Sequence, residues 1–446
     1  MKEDCSMPTI AFATLGCRVN QYDTDSMRGL FIAQGFVDAS FNSPADVYVI
    51  NTCSVTQMGE KKSRQLIRRA KKYNPQGIVV VTGCYAQLSP EEIASIQGVD
   101  AVIGTNEKKN IVSIVQQLLH TEAFEPVTAI HDIRHSGDTF EEIPLYPSAV
   151  EHTRADLKIQ EGCNNFCTYC IIPYTRGALK SRQPDAIVEE AKRLVKAGFK
   201  ELVLTGIHLG AYGKELPDKP TLAHILKRLV QETDVARLRL GSIDSLEVDE
   251  ALIEVFNAFN QRICPHLHIP IQAGSNAILK AMNRQYTKEE YVELIQVLKE
   301  KINNVTFSTD LILGFPGETE ELFSETMETL RGIPYSHIHA FPYSARPGTP
   351  AAKMMGQIDM AERKRRVEIV NAFSARQKKS LLQGFLHKTV CVLIERVDQT
   401  RAEGFCENYE RVYISPVSTL KQGDMVMVNI IQATDNALYG IIKEDV

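Results

Sequence analysis

Three cysteines in one short loop constrain this chain more than any other feature. They lie in Glu161-Gly162-Cys163-Asn164-Asn165-Phe166-Cys167-Thr168-Tyr169-Cys170, directly after an apolar run, Leu157–Gln160, that reads as a β-strand. The spacing C-x3-C-x2-C lets three thiolates wrap one corner of an iron–sulfur cube. A 4Fe–4S cluster normally takes four thiolates. Three leave one iron open, and an open position is what catalysis at a metal requires. The alternative, a closed zinc site, needs a fourth ligand, and no further cysteine or histidine lies close by in the sequence.

A second set is dispersed. Cys17, Cys53 and Cys84 each follow an apolar run directly, in Ala13-Thr14-Leu15-Gly16-Cys17, Ile50-Asn51-Thr52-Cys53 and Val81-Thr82-Gly83-Cys84. In a parallel sheet these strand ends share one edge, where ligand loops of open α/β sheets gather. Three thiols would converge there and again leave an iron open. The bland alternative is three small buried residues beside the sheet. Cys5, Cys264, Cys391 and Cys406 read as small hydrophobes or spare thiols. Clustered cysteines among a total of ten point to metal or redox chemistry in a reducing compartment rather than to disulfides.

The 446 residues suffice for two or three domains. Up to about residue 125, Thr9–Thr14, Asp46–Asn51, Gly77–Thr82 and Asp100–Gly104 read as buried strands, with helical patterns near Asp25–Gln34, Gln57–Tyr73 and Pro90–Ile96. This alternation predicts a parallel α/β sheet in a domain over 1–130. A linker is expected at 131–150. Over 151–380, six candidate strands (Leu157–Gln160, Glu201–Thr205, Arg237–Gly241, His266–Ile269, Val305–Leu313, His337–Tyr343) alternate with amphipathic stretches, predicting a partial (β/α)6, TIM-like barrel with its site at the strand C-termini. From 381 to 446 short β-rich runs predict a small antiparallel β-barrel of the OB-like class.

Formal net charge is -5, so nucleic-acid binding would rest on local patches. Two basic runs qualify: Lys61–Lys72, and Arg363–Lys379 at the end of the barrel segment. A charge run is also what an ordinary solvated helix face looks like. No apolar run approaches the roughly 20 residues of a membrane helix, and the N-terminus has no apolar signal core. A cytoplasmic protein with no membrane partner is expected.

The residues around Cys163 resemble the radical-SAM motif, including the aromatic Tyr169 before the third cysteine. Together with Cys17, Cys53, Cys84 and the C-terminal barrel, nearly the whole chain resembles the radical-SAM methylthiotransferase family. Its parts are an N-terminal cluster domain, a radical-SAM barrel and a TRAM domain. The flanks Thr14–Tyr22, Asn51–Thr56 and Val81–Gln87 look most like its MtaB type, which acts on N6-threonylcarbamoyladenosine beside the tRNA anticodon.

The resemblance implies two 4Fe–4S clusters, held by Cys17, Cys53 and Cys84 and by Cys163, Cys167 and Cys170. It implies S-adenosylmethionine (SAM) bound near Tyr169, Gly206, His208, Ser242 and Asp310, with no catalytic side chain beyond the cluster ligands. One cluster would start a radical by cleaving SAM, and the other would hold the sulfur of a methylthio group destined for carbon 2 of adenine. Expected partners are the tRNA anticodon stem-loop, an electron donor such as flavodoxin or ferredoxin, and a sulfur source. Arg176, Arg182 and Arg346 are candidates for the threonylcarbamoyl carboxylate, with buried structural salt bridges as the alternative account of them. Competing functions are methylthiolation of isopentenyladenosine in tRNA, methylthiolation of a ribosomal-protein aspartate, and a non-catalytic iron–sulfur RNA-binding protein.

Overall fold

The computed structural model describes residues 7–120, 125–133, 139–415 and 420–443. Cys5 and residues 134–138 of the expected linker lie outside them. The described residues pack into two compact units: Met1–Glu151 with Lys158–Gln183 and Ser344–Ala352, and His152–Leu157 with Pro184–Tyr343 and Lys353–Val446.

In the first unit, strands β1 (Thr9–Thr14), β2 (Val37–Ala39), β3 (Val47–Thr52), β4 (Ile78–Gly83), β5 (Ala101–Ile103) and β6 (Val127–Ala129) form one six-stranded sheet in the order β2-β1-β3-β4-β5-β6. Every pair is parallel. Helices α1 (Arg18–Ala33), α2 (Gln57–Tyr73), α3 (Cys84–Leu88), α4 (Pro90–Ala94) and α5 (Ile111–His120) connect them. Val47 and Val49 pack into one core while Tyr48 and Ile50 pack into the other. Burial on both faces explains why β3 reads as a continuous apolar run. The strand order reverses between β1 and β3. That switch point opens a crevice at the carboxyl ends of the strands.

The chain then runs through β7 (Arg154–Lys158) into a short antiparallel ribbon of β8 (Gln160–Glu161) and β9 (Lys180–Ser181), with α6 (Ile172–Arg176) in the connection.

In the second unit, β7 neighbours β10 (Glu201–Thr205), which is parallel to β11 (Arg237–Leu240). Strands β12 (His266–His268), β13 (Thr306–Leu313) and β14 (Tyr335–Pro342) form a second parallel set. Bridges Leu238–Ile263 and Ser242–His268 join the two sets into a partial barrel. Around it lie α7 (Pro184–Lys196), α8 (Leu222–Glu232), α9 (Glu250–Ala258), α10 (Asn276–Ala281), α11 (Lys288–Lys301) and α12 (Glu320–Arg331), followed by α13 (Met360–Gln383). α8 buries Leu222, Ile225, Leu226 and Leu229, the i, i+3, i+4, i+7 stripe of a helix packed on a core. The C-terminal strands β15 (Thr389–Val397), β16 (Ala402–Cys406), β17 (Arg411–Ile414), β18 (Met425–Ala433) and β19 (Leu438–Ile442) close a barrel in the order β15-β16-β17-β19-β18. β19 was not anticipated, and its pairing with β17 is parallel in an otherwise antiparallel barrel.

The two barrels of this unit are tied through buried charge. Glu201 receives Arg237 at 2.6 Å and Arg239 at 2.8 Å. The same guanidinium groups donate to the backbone carbonyls of Cys391, Phe405, Glu407 and Cys406 in the small barrel. Burial alone would raise the Glu201 carboxyl, but Arg239 and Arg237 outweigh it and hold it down to about 2. A depressed pKa in the folded chain gives stability that is complete above the unfolded value near 4.5 and is lost as pH falls toward 2. Acidification from about pH 5 to about pH 2 is therefore expected to remove on the order of 3 kcal/mol through this group. Urea titrations of Glu201→Gln should show that part of the pH dependence missing; an unaltered profile contradicts the assignment.

Candidate metal centres

Cys17, Cys53 and Cys84 stand at the carboxyl ends of β1, β3 and β4, the two strands at the switch point and their neighbour. Local backbone chemistry sets them there. Gly16 and Gly83 have φ +112° and +93°, a region in which side chains are strained. A Cβ on Gly83 would fall 2.5 Å from the carbonyl oxygen of Thr52, and one on Gly16 would fall 3.3 Å from Cys53 Sγ. Asn20 and Asn51 lace the strand ends together: Asn20 Nδ2 donates to the carbonyls of Leu15 and Thr52, and Asn51 Nδ2 to that of Asn20. Burial pushes the Cys53 thiol up to about 11, with Cys84 raising it further. A bound cation that displaces its proton is what would hold such a group as a thiolate.

Cys163, Cys167 and Cys170 occupy the loop after β8. Cys163 N–H donates to Gly177 O at 3.1 Å, Cys170 N–H to Cys167 O at 2.9 Å, and Asn165 N–H lies 3.5 Å from Cys163 Sγ. Gly162 precedes Cys163 with φ +71°, and its Cβ position is 1.9 Å from Ala178 O. Gly162→Ala is expected to cost about 3 kcal/mol at this turn through strain and overlap. Iron bound by this loop should fall with it, as read by iron analysis in a chain carrying Cys17→Ala, Cys53→Ala and Cys84→Ala. Full iron loading would contradict the backbone argument.

The donor chemistry of both sets fits a cluster. Among the described residues, the three-ligand group with donor atoms all within 4.8 Å of one another is His268, Asp310 and His339. Neither cysteine set closes to that single-ion spacing. Three thiols spread more widely suit the corner of a cubane.

Arg176 joins the two sets. It ends α6, six residues beyond Cys170, and is 1% exposed. Its Nε donates to Cys84 Sγ at 3.3 Å, its Nη1 to Asp23 at 3.0 Å and Glu161 at 2.5 Å, and its Nη2 to Asn20 Oδ1. Lys158 pairs with Asp23 and Glu161, and Lys108 with Asp23 and Glu141. Three cations thus face three carboxylates. Burial would raise the Glu161 carboxyl, but Arg176, Lys158 and Lys108 prevail and hold it far below the usual range. Arg176 is therefore committed to protein partners. Arg182 is likewise buried and paired with Glu142, and Arg346 is buried and paired with Glu60. Arg176, Arg182 and Arg346, the expected candidates for a tRNA carboxylate, are thus each buried and paired with a carboxylate of the protein, as the alternative account of them had it; burial and partners remote in sequence were not legible from their places near strand ends.

The expected SAM residues distribute over the second unit, apart from Tyr169 in the cysteine loop. Gly206 follows β10, and Ser242 follows β11 and bridges to His268. His208 is turned onto Glu247, with Nε2 3.0 Å from the carboxylate. Asp310 lies in β13, 3.4 Å from His268 Nε2. His268 Nδ1 in turn contacts Ser308 Oγ at 2.8 Å, and the His337 and His339 rings meet edge to face, 4.2 Å between centroids. Burial, then His339, pulls His337 down to about 4. These histidines escaped the sequence reading; the alternations His266-x-His268 and His337-x-His339 within strands put each pair on one face and were the available signal.

Each basic run mixes paired and unpaired cations: Lys364 and Arg376 of α13 are exposed with no ion pair among the described residues, and Arg64 and Lys71 of α2 pair with Glu92 and Asp100. In α13, Arg365 pairs with Glu320 and Glu362, Arg366 with Glu318, Lys378 with Glu410 and Lys379 with Asp435. On α2, Lys61, Arg68 and Lys72 are exposed at i, i+7 and i+11, on one helix face, with no ion pair among the described residues.

Comparison with known proteins places this arrangement. Residues 157–330 match the Radical SAM superfamily, and residues 9–104 match the Uncharacterized protein family UPF0004. The threonylcarbamoyladenosine tRNA methylthiotransferase MtaB of Bacillus subtilis is 42% identical over 96% of this chain and 94% of its own length. The chain belongs to the radical-SAM methylthiotransferase family. A second methylthiotransferase relative, the tRNA-2-methylthio-N(6)-dimethylallyladenosine synthase of Staphylococcus haemolyticus, is 33% identical over 98% of this chain and 85% of its own. Among solved structures, the radical S-adenosylmethionine methyltransferase TsrM of Kitasatospora setae aligns at TM-score 0.56 and 13% identity, covering 78% of this chain and 74% of that one. That likeness shows a shared fold. No described helix is long and apolar enough to cross a membrane.

Proposed function

We propose that this methylthiotransferase replaces the hydrogen on carbon 2 of N6-threonylcarbamoyladenosine, beside the tRNA anticodon, with a methylthio group. The observation that carries the reading is the pair of three-cysteine sets within one compact unit, each short of the four thiolates that would close a cluster. The 42% identity to the Bacillus subtilis enzyme, against 33% to the dimethylallyladenosine synthase, favours the threonylcarbamoyl substrate.

Cys17, Cys53 and Cys84 hold one 4Fe–4S cluster, and Cys163, Cys167 and Cys170 the other. When bound, the second cluster supplies the electron that cleaves SAM to methionine and a 5′-deoxyadenosyl radical, and the first carries the sulfur to be transferred. The protein supplies placement and dryness. Arg176 fixes the distance between the sets by joining Cys84 to the helix that follows Cys170. Gly206, His208, Ser242 and Asp310 bind SAM in the second unit, and Tyr169 stands in the cysteine loop of the first. The open face of α2, with Lys61, Arg68 and Lys72, takes tRNA phosphates, contacts that position without reading sequence.

Domain limits of 1–130, 151–380 and 381–446 belong to this reading, the last being the TRAM module. A low-potential one-electron donor, flavodoxin or ferredoxin, and a sulfur source complete the reaction in the cytoplasm.

Comparing tRNA nucleosides by liquid chromatography and mass spectrometry, from cells with and without the gene, tests the substrate. Loss of 2-methylthio-N6-threonylcarbamoyladenosine with accumulation of its precursor is expected. Loss of the isopentenyl counterpart instead would keep the chemistry and change the substrate.

A further inference from the structure

Arg346 is buried yet incompletely used. It is 2% exposed, and its Nη2 pairs with Glu60. Its Nε and Nη1 are both shielded from solvent and have no hydrogen-bond partner among the described residues. Leaving two charged donors unsatisfied costs a few kcal/mol, and a buried orphan of this kind asks for a missing acceptor.

The position of Arg346 says which acceptor. Glu60 lies in the first turn of α2, and the neighbouring Gly59 packs on Cys53: its Cβ position is 3.2 Å from Cys53 O and 3.7 Å from Cys53 Cβ. The other end of the Arg346 loop reaches the second cysteine set, where Ala351 N–H donates to Thr168 O at 2.9 Å, between Cys167 and Cys170. Thr349 holds the turn from both its N–H and its hydroxyl, which donate to Arg346 O at 3.1 and 2.7 Å. The loop is thus pinned beside both sets, with its unpartnered guanidinium edge in the Cys53 neighbourhood. Burial works against the charge of Arg346, and a charge on Cys53 would favour it.

We propose that Arg346 binds, through Nε–H and Nη1–H, the sulfur anion held at the Cys17–Cys53–Cys84 set. This rests on the reading of that set as the sulfur carrier. The ligand is a small, soft anion such as sulfide or an alkanethiolate. Its lone pair goes to the open iron with no electron transferred, and the two N–H groups take its remaining lone pairs. A guanidinium suits this because its donors form a rigid fork. Near-complete burial excludes a bulky nucleoside substituent from the same edge. Glu60 neutralises part of the charge and leaves one face of the fork free.

The test uses the full chain with Cys163, Cys167 and Cys170 changed to alanine, loaded anaerobically with iron and sulfide, and titrated with methanethiolate while the EPR spectrum of the reduced cluster is followed. Arg346→Gln is expected to raise the dissociation constant at least ten-fold at unchanged iron and sulfide content, and Arg346→Lys to fall between. Equal affinity in Arg346→Gln overturns the proposal. So does unchanged affinity there accompanied, in the chain with the Cys163 loop intact, by a raised KM of Arg346→Gln for the modified tRNA, which would move Arg346 to the substrate carboxylate. Should Arg346→Gln fail to load a cluster, Glu60→Gln decides: tighter methanethiolate binding supports the role, and unchanged or weaker binding refutes it. A chain with Arg346 intact that binds no methanethiolate overturns the sulfur-carrier reading itself.

Discussion

Cys167→Ala is expected to cut reductive cleavage of SAM to 5′-deoxyadenosine by more than about 1,000-fold, the scale of loss when one member of a catalytic unit is removed. Cys167 is the middle member of its set and is 8% exposed. With two thiols left, the loop cannot hold three irons of a cube and present the fourth to SAM. The flanking backbone bonds, Cys163 N–H to Gly177 O and Cys170 N–H to Cys167 O, do not use the Cys167 side chain. The loop should therefore keep its path, and loss of product should not come from unfolding. The far-ultraviolet circular dichroism of the variant should match that of the native chain. The Cys17–Cys53–Cys84 set should still load, giving about half the iron. Retention of 5′-deoxyadenosine formation by anaerobic Cys167→Ala would refute the assignment of the radical chemistry to this loop.

Cys84→Ala should separate the two halves of the reaction. Cys84 is 3% exposed at the C-terminal end of β4 and accepts from Arg176 Nε at 3.3 Å. Removing its thiol takes a ligand from the N-terminal set and leaves the Cys163 loop complete. Methylthiolated nucleoside is then expected to fall by more than about 1,000-fold, while 5′-deoxyadenosine continues to form, uncoupled from product. The buried guanidinium loses one of its acceptors but keeps Asp23, Glu161 and Asn20, so the cost in stability should stay near 1–3 kcal/mol, that of one unmade hydrogen bond to a charged group, or about that. If product forms at the native rate, Cys84 is no ligand, and the N-terminal set is the row of small buried residues that its sequence also allowed.

Much of this architecture was legible because its strands are apolar runs. Glu201–Thr205, Thr9–Thr14 and Met425–Ala433 fall where the residue patterns put them. Helices with chemical punctuation were equally clear: α2 opens on Thr56, whose side chain accepts from Gly59 N–H, and α11 on the Thr287–Glu290 capping box. α1 was read seven residues short. Its first turns bury Asn20, Asp23, Thr24, Asp25 and Ser26, so the face that packs inward is polar and has no apolar period to detect. That polar face surrounds the metal-binding edge, which is why pattern reading fails there. β19 is five residues long with a glycine inside it, too little signal for a strand.

The candidate sites divide in the same way. Three strand ends converging on one edge follow from parallel topology, and Cys17, Cys53 and Cys84 could be picked out without coordinates. Arg176 could not. Its partners Asp23 and Asn20 lie 153 and 156 residues away in the chain. Nor could sequence show that carboxylates beside α13 pair with Arg365, Arg366, Lys378 and Lys379 while Lys61, Arg68 and Lys72 on α2 stay exposed and unpaired among the described residues.

The most direct test is one anaerobic reaction. Purified chain carrying both clusters is mixed with SAM, a low-potential reductant and tRNA bearing N6-threonylcarbamoyladenosine, and the digested nucleosides and small molecules are weighed together by mass spectrometry. The account predicts 2-methylthio-N6-threonylcarbamoyladenosine appearing with 5′-deoxyadenosine, both dependent on the Cys163 loop and only the first on Cys84. Formation of 5′-deoxyadenosine with no change in this nucleoside, under conditions where tRNA bearing isopentenyladenosine is methylthiolated, would contradict it.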